Sequence, residues 1–271
     1  MPTIEEERFH LTEEHFFAVT TSVHLRINSC VNAYQTDSGP SPWNLLFIRV
    51  GSAPLGEALV ASDRLIRRSV IPVAVVVRQE KIEPLAHSLN AWGCVATETT
   101  TAMVLDMRRL LIYPRLSDQG VIRLTDNLDD WATPIVSAFG ISSEAAVHYQ
   151  TQHKRALDKG ECLYHFIMSL DGNSVCSLTL TLHNGLARLN DVGTDPAHRG
   201  KGYSTRLICA ALVHATDLGA RWCFLESSEQ ARSLYHRLGF KVLFHYQSFI
   251  RASCYLPASG RISSGEENPI K

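Results

Sequence analysis

The densest chemistry in this 271-residue chain lies between Val192 and Leu207, which reads VGTDPAHRGKGYSTRL. Within it, Arg199-Gly200-Lys201-Gly202-Tyr203-Ser204 joins a strand-like run to the start of a helical one. Glycine lets backbone come close to a ligand and lets successive N–H groups point one way. A helix N-terminus adds positive potential, and Arg199 and Lys201 add charge, so a pyrophosphate is the natural guest of such a loop. Glycine with basic residues also makes plain surface turns, and local physics leaves both readings open. Other phosphate loops fit worse, because neither GxxxxGK[ST] nor GxGxxG occurs here.

The remaining reactive residue types lack partners at useful spacing. The twelve histidines include His10, His15, His24, His148 and His153, but there is no HExxH, and no metal is expected. Ser227-Ser228 lies outside any GxSxG elbow, which disfavours a hydrolase. The seven cysteines, at 30, 94, 162, 176, 209, 223 and 254, show no CxxC and read as small, mostly buried apolar residues. Glu5-Glu6-Glu7 with Glu13-Glu14 reads as a solvated acidic first segment, with contact to a cationic substrate as the alternative.

The elements that position the glycine loop can be read outward from it. Cys162–Ser169 and Val175–Leu182 flank Asp171-Gly172-Asn173, which is hairpin chemistry. After a turn at Asn184-Gly185, Leu186–Thr194 supplies the strand entering the loop. Apolar residues at 207, 208, 211, 212, 215 and 218 predict an amphipathic helix over about Thr205 to Leu218, stopped at Gly219. The order strand (Trp222–Leu225), helix (Ala231–Phe240, ending at Gly239), strand (Lys241–Arg251) follows. The same order occurs earlier as Ile71–Val77, Leu85–Cys94 (ending at Gly93) and Thr97–Asp106. This echo suggests two related halves.

The break between them falls at Leu111–Asp118, where proline follows a strand-like run. The tail from Pro257 is rich in Ser, Gly, Glu and Pro, and ordering it would gain little burial. The chain is 45% apolar and 20% charged with a formal net charge of −1, so it can build a core and offers no electrostatic footprint for nucleic acid or an anionic membrane. Its longest apolar run, Val70–Val77, is far short of the roughly 20 residues of a membrane helix. The acidic N-terminus lacks a signal-peptide pattern, so a cytoplasmic location is expected.

With RGKGYS preceded by VGTDPAH, the chain resembles the Gcn5-related N-acetyltransferase (GNAT) superfamily, whose acetyl-CoA loop reads (Q/R)xxGx(G/A). Leu225–Phe240, LESSEQARSLYHRLGF, is similar to that family's closing segment with its LYxxxGF ending. The resemblance implies an α+β, sandwich-like fold of two tandem domains, each a mixed, mostly antiparallel twisted sheet flanked by helices. Their expected extents are 1–115, a degenerate amino-terminal half without a loop of its own, and 118–255, the acetyl-CoA-binding half. A flexible tail, 256–271, completes the chain. Two departures stand out: Ser204 occupies the loop's usual Gly or Ala position, and Ser228 stands near where many members carry asparagine.

The resemblance also implies roles. Val192, Gly193 and Thr194 would bond the pantetheine arm through backbone groups, an N–H near Val192 or Gly193 polarising the thioester carbonyl. Arg199, Gly200, Lys201, Gly202, Tyr203, Ser204 and Thr205 would hold the pyrophosphate. Tyr235 would protonate the leaving thiolate, its alternative being a core aromatic on an amphipathic helix. Glu226, read as lying just past its strand, is the favoured base, and Asp191 is the other candidate. The implied activity is direct acetyl transfer from acetyl-CoA to a primary amine, most simply that of a small molecule. The alternatives are a protein or peptide acceptor, or a non-catalytic acyl-CoA-binding sensor or scaffold. Sequence does not choose an oligomeric state.

Overall fold

The computed structural model describes residues 2–36, 44–51, 53–110 and 120–254. The break at Leu111–Asp118 and the tail 256–271 lie outside the described residues. Among the described residues no helix is long and apolar enough to cross a membrane.

Among the described residues, eleven strands form one continuous sheet. In chain order they are β1 (Val23–Arg26), β2 (Val31–Gln35), β3 (Asn44–Ile48), β4 (Val73–Arg78), β5 (Cys94–Asp106), β6 (Val121–Leu124), β7 (Leu163–Leu170), β8 (Asn173–His183), β9 (Leu186–Thr194), β10 (Trp222–Ser228) and β11 (Lys241–Arg251). In space the order is β1-β2-β3-β4-β11-β5-β10-β9-β8-β7-β6. The helices are α1 (Ile4–Thr20), α2 (Gly56–Arg68), α3 (Ala86–Ala91), α4 (Leu128–Phe139), α5 (Ser143–Asp158), α6 (Tyr203–Asp217) and α7 (Arg232–Arg237).

The internal echo is visible in this order. β3 and β4 are parallel neighbours connected through α2, as β9 and β10 are through α6. α3 feeds β5 as α7 feeds β11. Each of these last strands crosses into the other half: β11 lies antiparallel to β4, and β5 lies antiparallel to β10. The two exchanged strands then pair with one another along most of their lengths, which joins the halves into a single sheet.

Local chemistry explains the second half's strand plan. Asp171 and Gly172 take φ of 49° and 84°, and Asn184 and Gly185 take 50° and 72°, the left-handed pairs that tight hairpins demand. Leu178, Leu189, Leu207, Leu212 and Phe240 bury the face under α6 and α7. Leu46, Val75, Val77, Leu85 and Trp92 do so under α2 and α3.

A third cluster belongs to both halves. Phe9 on α1 meets Phe244 and Phe224 edge-on, with ring centroids 5.2 and 6.3 Å apart. α1 thus lies across the exchanged strands, and its buried face is Glu6, Phe9, Thr12, Glu13, Phe16 and Thr20. This corrects the expectation of a solvated acidic segment. Glu13 is fully buried, and its carboxylate is 2.8 Å from the Arg49 guanidinium, which Glu14 also binds. Glu6 closes a capping box with Thr3 and pairs with Arg78 at 2.8 Å. The acids are there because two arginines from the first half's sheet must be neutralised out of water.

Candidate functional site

The site begins where two parallel strands part. β9 and β10 are paired from Leu186↔Trp222 to Leu189↔Leu225 and no further. Beyond that point β9 carries a bulge against β8, between Asn190 and Gly193, with Asp191 at φ 56°. Val192 packs partly on the core beneath. Gly193 has no room for a side chain, since a Cβ there would lie 3.1 Å from Ile135 Cα and 3.2 Å from Pro134 O. α4 therefore rests directly on the bulge.

The glycine loop follows. Asp195 fixes its first turn by accepting from the Ala197 N–H at 2.9 Å and from Ser137 Oγ at 2.6 Å. Gly200 and Gly202 take φ of 76° and 80°, and nothing lies within 4 Å of a Cβ at either. Gly202 is the N-cap of α6 and brings no side chain to it, whereas Thr3, Asn127 and Ser142 cap α1, α4 and α5. The first N–H to close a helical turn in α6 is that of Arg206, onto Gly202 O at 3.1 Å. The N–H groups of Tyr203, Ser204 and Thr205 precede it and face out of the helix end, an anion site made of backbone.

The side chains of the loop divide. Tyr203 is buried in the core, so only its backbone is available to a ligand. Arg199 donates to Thr194 O at 3.2 Å and Ala138 O at 3.0 Å, tying the loop to the bulged strand and to the end of α4. Lys201 is exposed and donates to Ala197 O at 3.3 Å.

Tyr235 sits on α7 within the buried cluster under β8, β9 and β10. Burial, with the Cys176 and Cys223 thiols nearby, pushes its phenol well above the ordinary range, so it stays protonated at neutral pH. Its surroundings are those of the core-aromatic reading.

Glu226 lies within β10, not past it, because the strand continues to Ser228 against β5, with Glu226 opposite Ala102. Thr100 Oγ1 donates to Glu226 Oε1, and Arg188 approaches Oε2 to 3.9 Å. Burial and the Glu13 charge push its carboxyl up to about 7, against the Thr100 hydrogen bond and the Arg188 charge. Asp191, across the gap, accepts from Tyr149 Oη at 2.7 Å, and burial pushes it up to about 6. Two carboxylates that hold protons near neutrality therefore flank the point where the strands part. Thr100, Arg188, Tyr149 and His153 were not foreseen as parts of this site. A strand-internal Asn190-Asp191 pair, tolerant of positive φ, was the available signal for the bulge.

Residues 162–242 match the family model described as an acetyltransferase (GNAT) domain. Among solved structures, the chain is similar to a GCN5-related N-acetyltransferase from Kribbella flavida, with a TM-score of 0.66 at 14% identity over 90% of this chain and 95% of that one. It is also similar to a GCN5-related N-acetyltransferase from Sphaerobacter thermophilus (TM-score 0.60, 17% identity, 82% and 76% covered). A tandem GNAT protein from the clavulanic acid biosynthesis pathway matches with a TM-score of 0.57 at 18% identity, over 81% of this chain and 77% of that one. No curated protein sequence matches. Residues 162–242 thus match a GNAT domain model, and the chain as a whole has a fold like that of solved GCN5-related N-acetyltransferases, a tandem GNAT protein among them.

Proposed function

We propose that the second half binds acetyl-CoA and transfers its acetyl group to a primary amine. The observation that carries this reading is the uncapped start of α6 behind two left-handed glycines, placed where β9 and β10 separate. The helix end and the loop N–H groups suit a pyrophosphate, with Lys201 and Arg199 adding charge at the rim. The unpaired edge of β9 at Val192–Thr194 suits the amide groups of a pantetheine arm. The gap beside the bulge would then hold the thioester.

The chain's own residues supply what such a transfer needs. Tyr235, the tyrosine of the LYxxxGF segment, is the hydroxyl assigned to protonating the departing thiolate. Glu226 and Asp191 are raised towards neutrality and suited to accept a proton from the attacking nitrogen. α1 of the first half covers the same sheet face as α5, roofing the acceptor side, which favours a small amine over a protein surface.

The test is release of CoA thiol from acetyl-CoA with a panel of primary amines, including amino acids, polyamines, amino sugars and lysine peptides. At least one small amine is expected to turn over, with Tyr235→Phe slowing it by about 100-fold. Tight acetyl-CoA binding without turnover on any amine would favour an acyl-CoA sensor instead.

A further inference from the structure

Behind the bulge of β9 lies a buried cluster that the transfer reading leaves unused. His153 on α5 is fully buried, and its Nδ1 is 2.8 Å from Nε2 of His165 on β7. The other ring nitrogen of His153, Nε2, faces Asp191 Oδ2 at 3.9 Å. Both of these atoms are buried without a close hydrogen-bond partner among the described residues, as is Trp131 Nε1 on the ring beside His153, while Thr179 acts on Asp191 from β8. Orphaned polar atoms are rare in folded interiors, and a buried ring nitrogen aimed at a buried carboxylate oxygen calls for an explanation.

The surroundings contain donors but little positive charge. Tyr149 donates to Asp191 Oδ1, and the Trp131 ring of α4 lies tilted against His153, with centroids 4.4 Å apart. Phe16 of α1 closes the far side of His153 at 6.2 Å. Burial keeps both histidines neutral, His165 down to about 4. Arg188 is the cation that reaches Asp191 electrostatically, and it also serves Glu226. The cluster has no metal-holding set of ligands among the described residues. Glu226 is served on one oxygen by the Thr100 hydrogen bond, and Arg188 stands 3.9 Å from the other.

Resting on the transfer reading, we propose that Asp191 is the general base and that His153, backed by His165, is its positioning pair. The amine lone pair forms the C–N bond at the thioester carbonyl, the C–S bond breaks, and its electron pair leaves on sulfur. The nitrogen's surplus proton passes to the Asp191 carboxylate, whose side chain is 14% exposed. Tyr235 protonates the thiolate, and solvent returns the proton from Asp191 to Tyr235. His165 Nε2–H donates to His153 Nδ1, so that His153 Nε2–H points at Asp191 Oδ2. Such bonds are long before substrate binds and shorten in the loaded complex.

The experiment uses the full chain and three variants. Asp191→Asn suits the positive φ, His153→Phe keeps the ring packing, and His153→Gln keeps a donor. With methoxyamine, which stays neutral over this pH range, as acceptor, wild-type kcat is expected to rise with pH through a limb near 6. Asp191→Asn should lose about 100-fold in kcat. His153→Phe should move the limb up by about one pH unit, and His153→Gln should restore it. Independently of turnover, ring-nitrogen NMR should show His153 Nε2 following the Asp191 titration in wild type and not in Asp191→Asn. Asp191→Asn that binds acetyl-CoA and transfers at the wild-type rate overturns this assignment alone, as does a His153 ring indifferent to Asp191→Asn. Absence of acetyl-CoA binding by wild type, read by calorimetry, overturns the transfer reading as well.

Discussion

The two halves part their parallel strands in the same place and fill the gap in opposite ways. In the first half the last pair is Ile48↔Val77, and the next residues, Arg49 and Arg78, are locked by Glu13 and Glu14 and by Glu6 and Glu80. What remains is a cavity of about 400 Å³ against His10 and Tyr246. In the second half the last pair is Leu189↔Leu225, and beyond it stand Asp191 and Glu226. Glu13 is buried too, but the His10 hydrogen bond and the Arg49 charge overcome its desolvation and hold it down at about 2. Desolvation wins at Asp191 and Glu226. The helix starts differ in the same sense: α2 and α6 both lack a capping side chain, but α2 carries Glu57 in its first turn, and α6 carries no acid there. One backbone plan thus makes a charge-paired joint in one half and, in the other, a parting beside two carboxyls raised by burial.

The harshest way to break the comparison is to separate the halves. Residues 120–254 alone would leave β10 and β11 without β5 and would strip Thr100 from Glu226, so the fragment is expected to be unfolded or aggregated by circular dichroism and gel filtration. A folded, monomeric fragment would show that the exchanged strand is dispensable. Next in size is a pair of charge removals read by urea unfolding at pH 7.5. Glu13→Gln should cost about 3 kcal/mol, because it leaves Arg49 with a broken buried pair. Asp191→Asn should cost nothing or stabilise the fold, because holding that charge in the folded state is unfavourable there.

The smallest effect is on acid stability. His165 is depressed in the fold, so its contribution is present above the unfolded value of 6.5 and is lost as pH falls towards 4. Asp191 is raised from 3.8 to about 6, so the fold gains stability as pH falls through that window. Removing the second term in Asp191→Asn should make the loss of stability between pH 6.5 and 4 steeper than in wild type.

Much of the second half was legible in the sequence because its signals are local. Turn residues fixed the β7–β8 and β8–β9 hairpins, apolar spacing marked α6, and the bounds of β9 and β11 match the expectation. What stayed hidden depends on partners distant in the chain. Glu226 was placed past its strand because β10 is prolonged by β5, whose Thr100 lies 126 positions away. α1 was taken as solvated because its buried face alternates Phe9 and Phe16 with Glu6 and Glu13, so no apolar stripe marks it. His153 had no carboxylate at ligand spacing in sequence, and only the bulge at Asp191 brings one near.

The central claim is that the loop of the second half, and not its counterpart in the first, binds acetyl-CoA. Calorimetric titration of acetyl-CoA into wild type and Gly202→Glu tests it most directly, since the variant places a side chain and a negative charge in the space above the α6 N-terminus. The expected result is one equivalent bound by wild type with micromolar affinity, about −8 kcal/mol, and none by a still-folded variant. Equal binding by the variant, or no binding by wild type, would contradict the account.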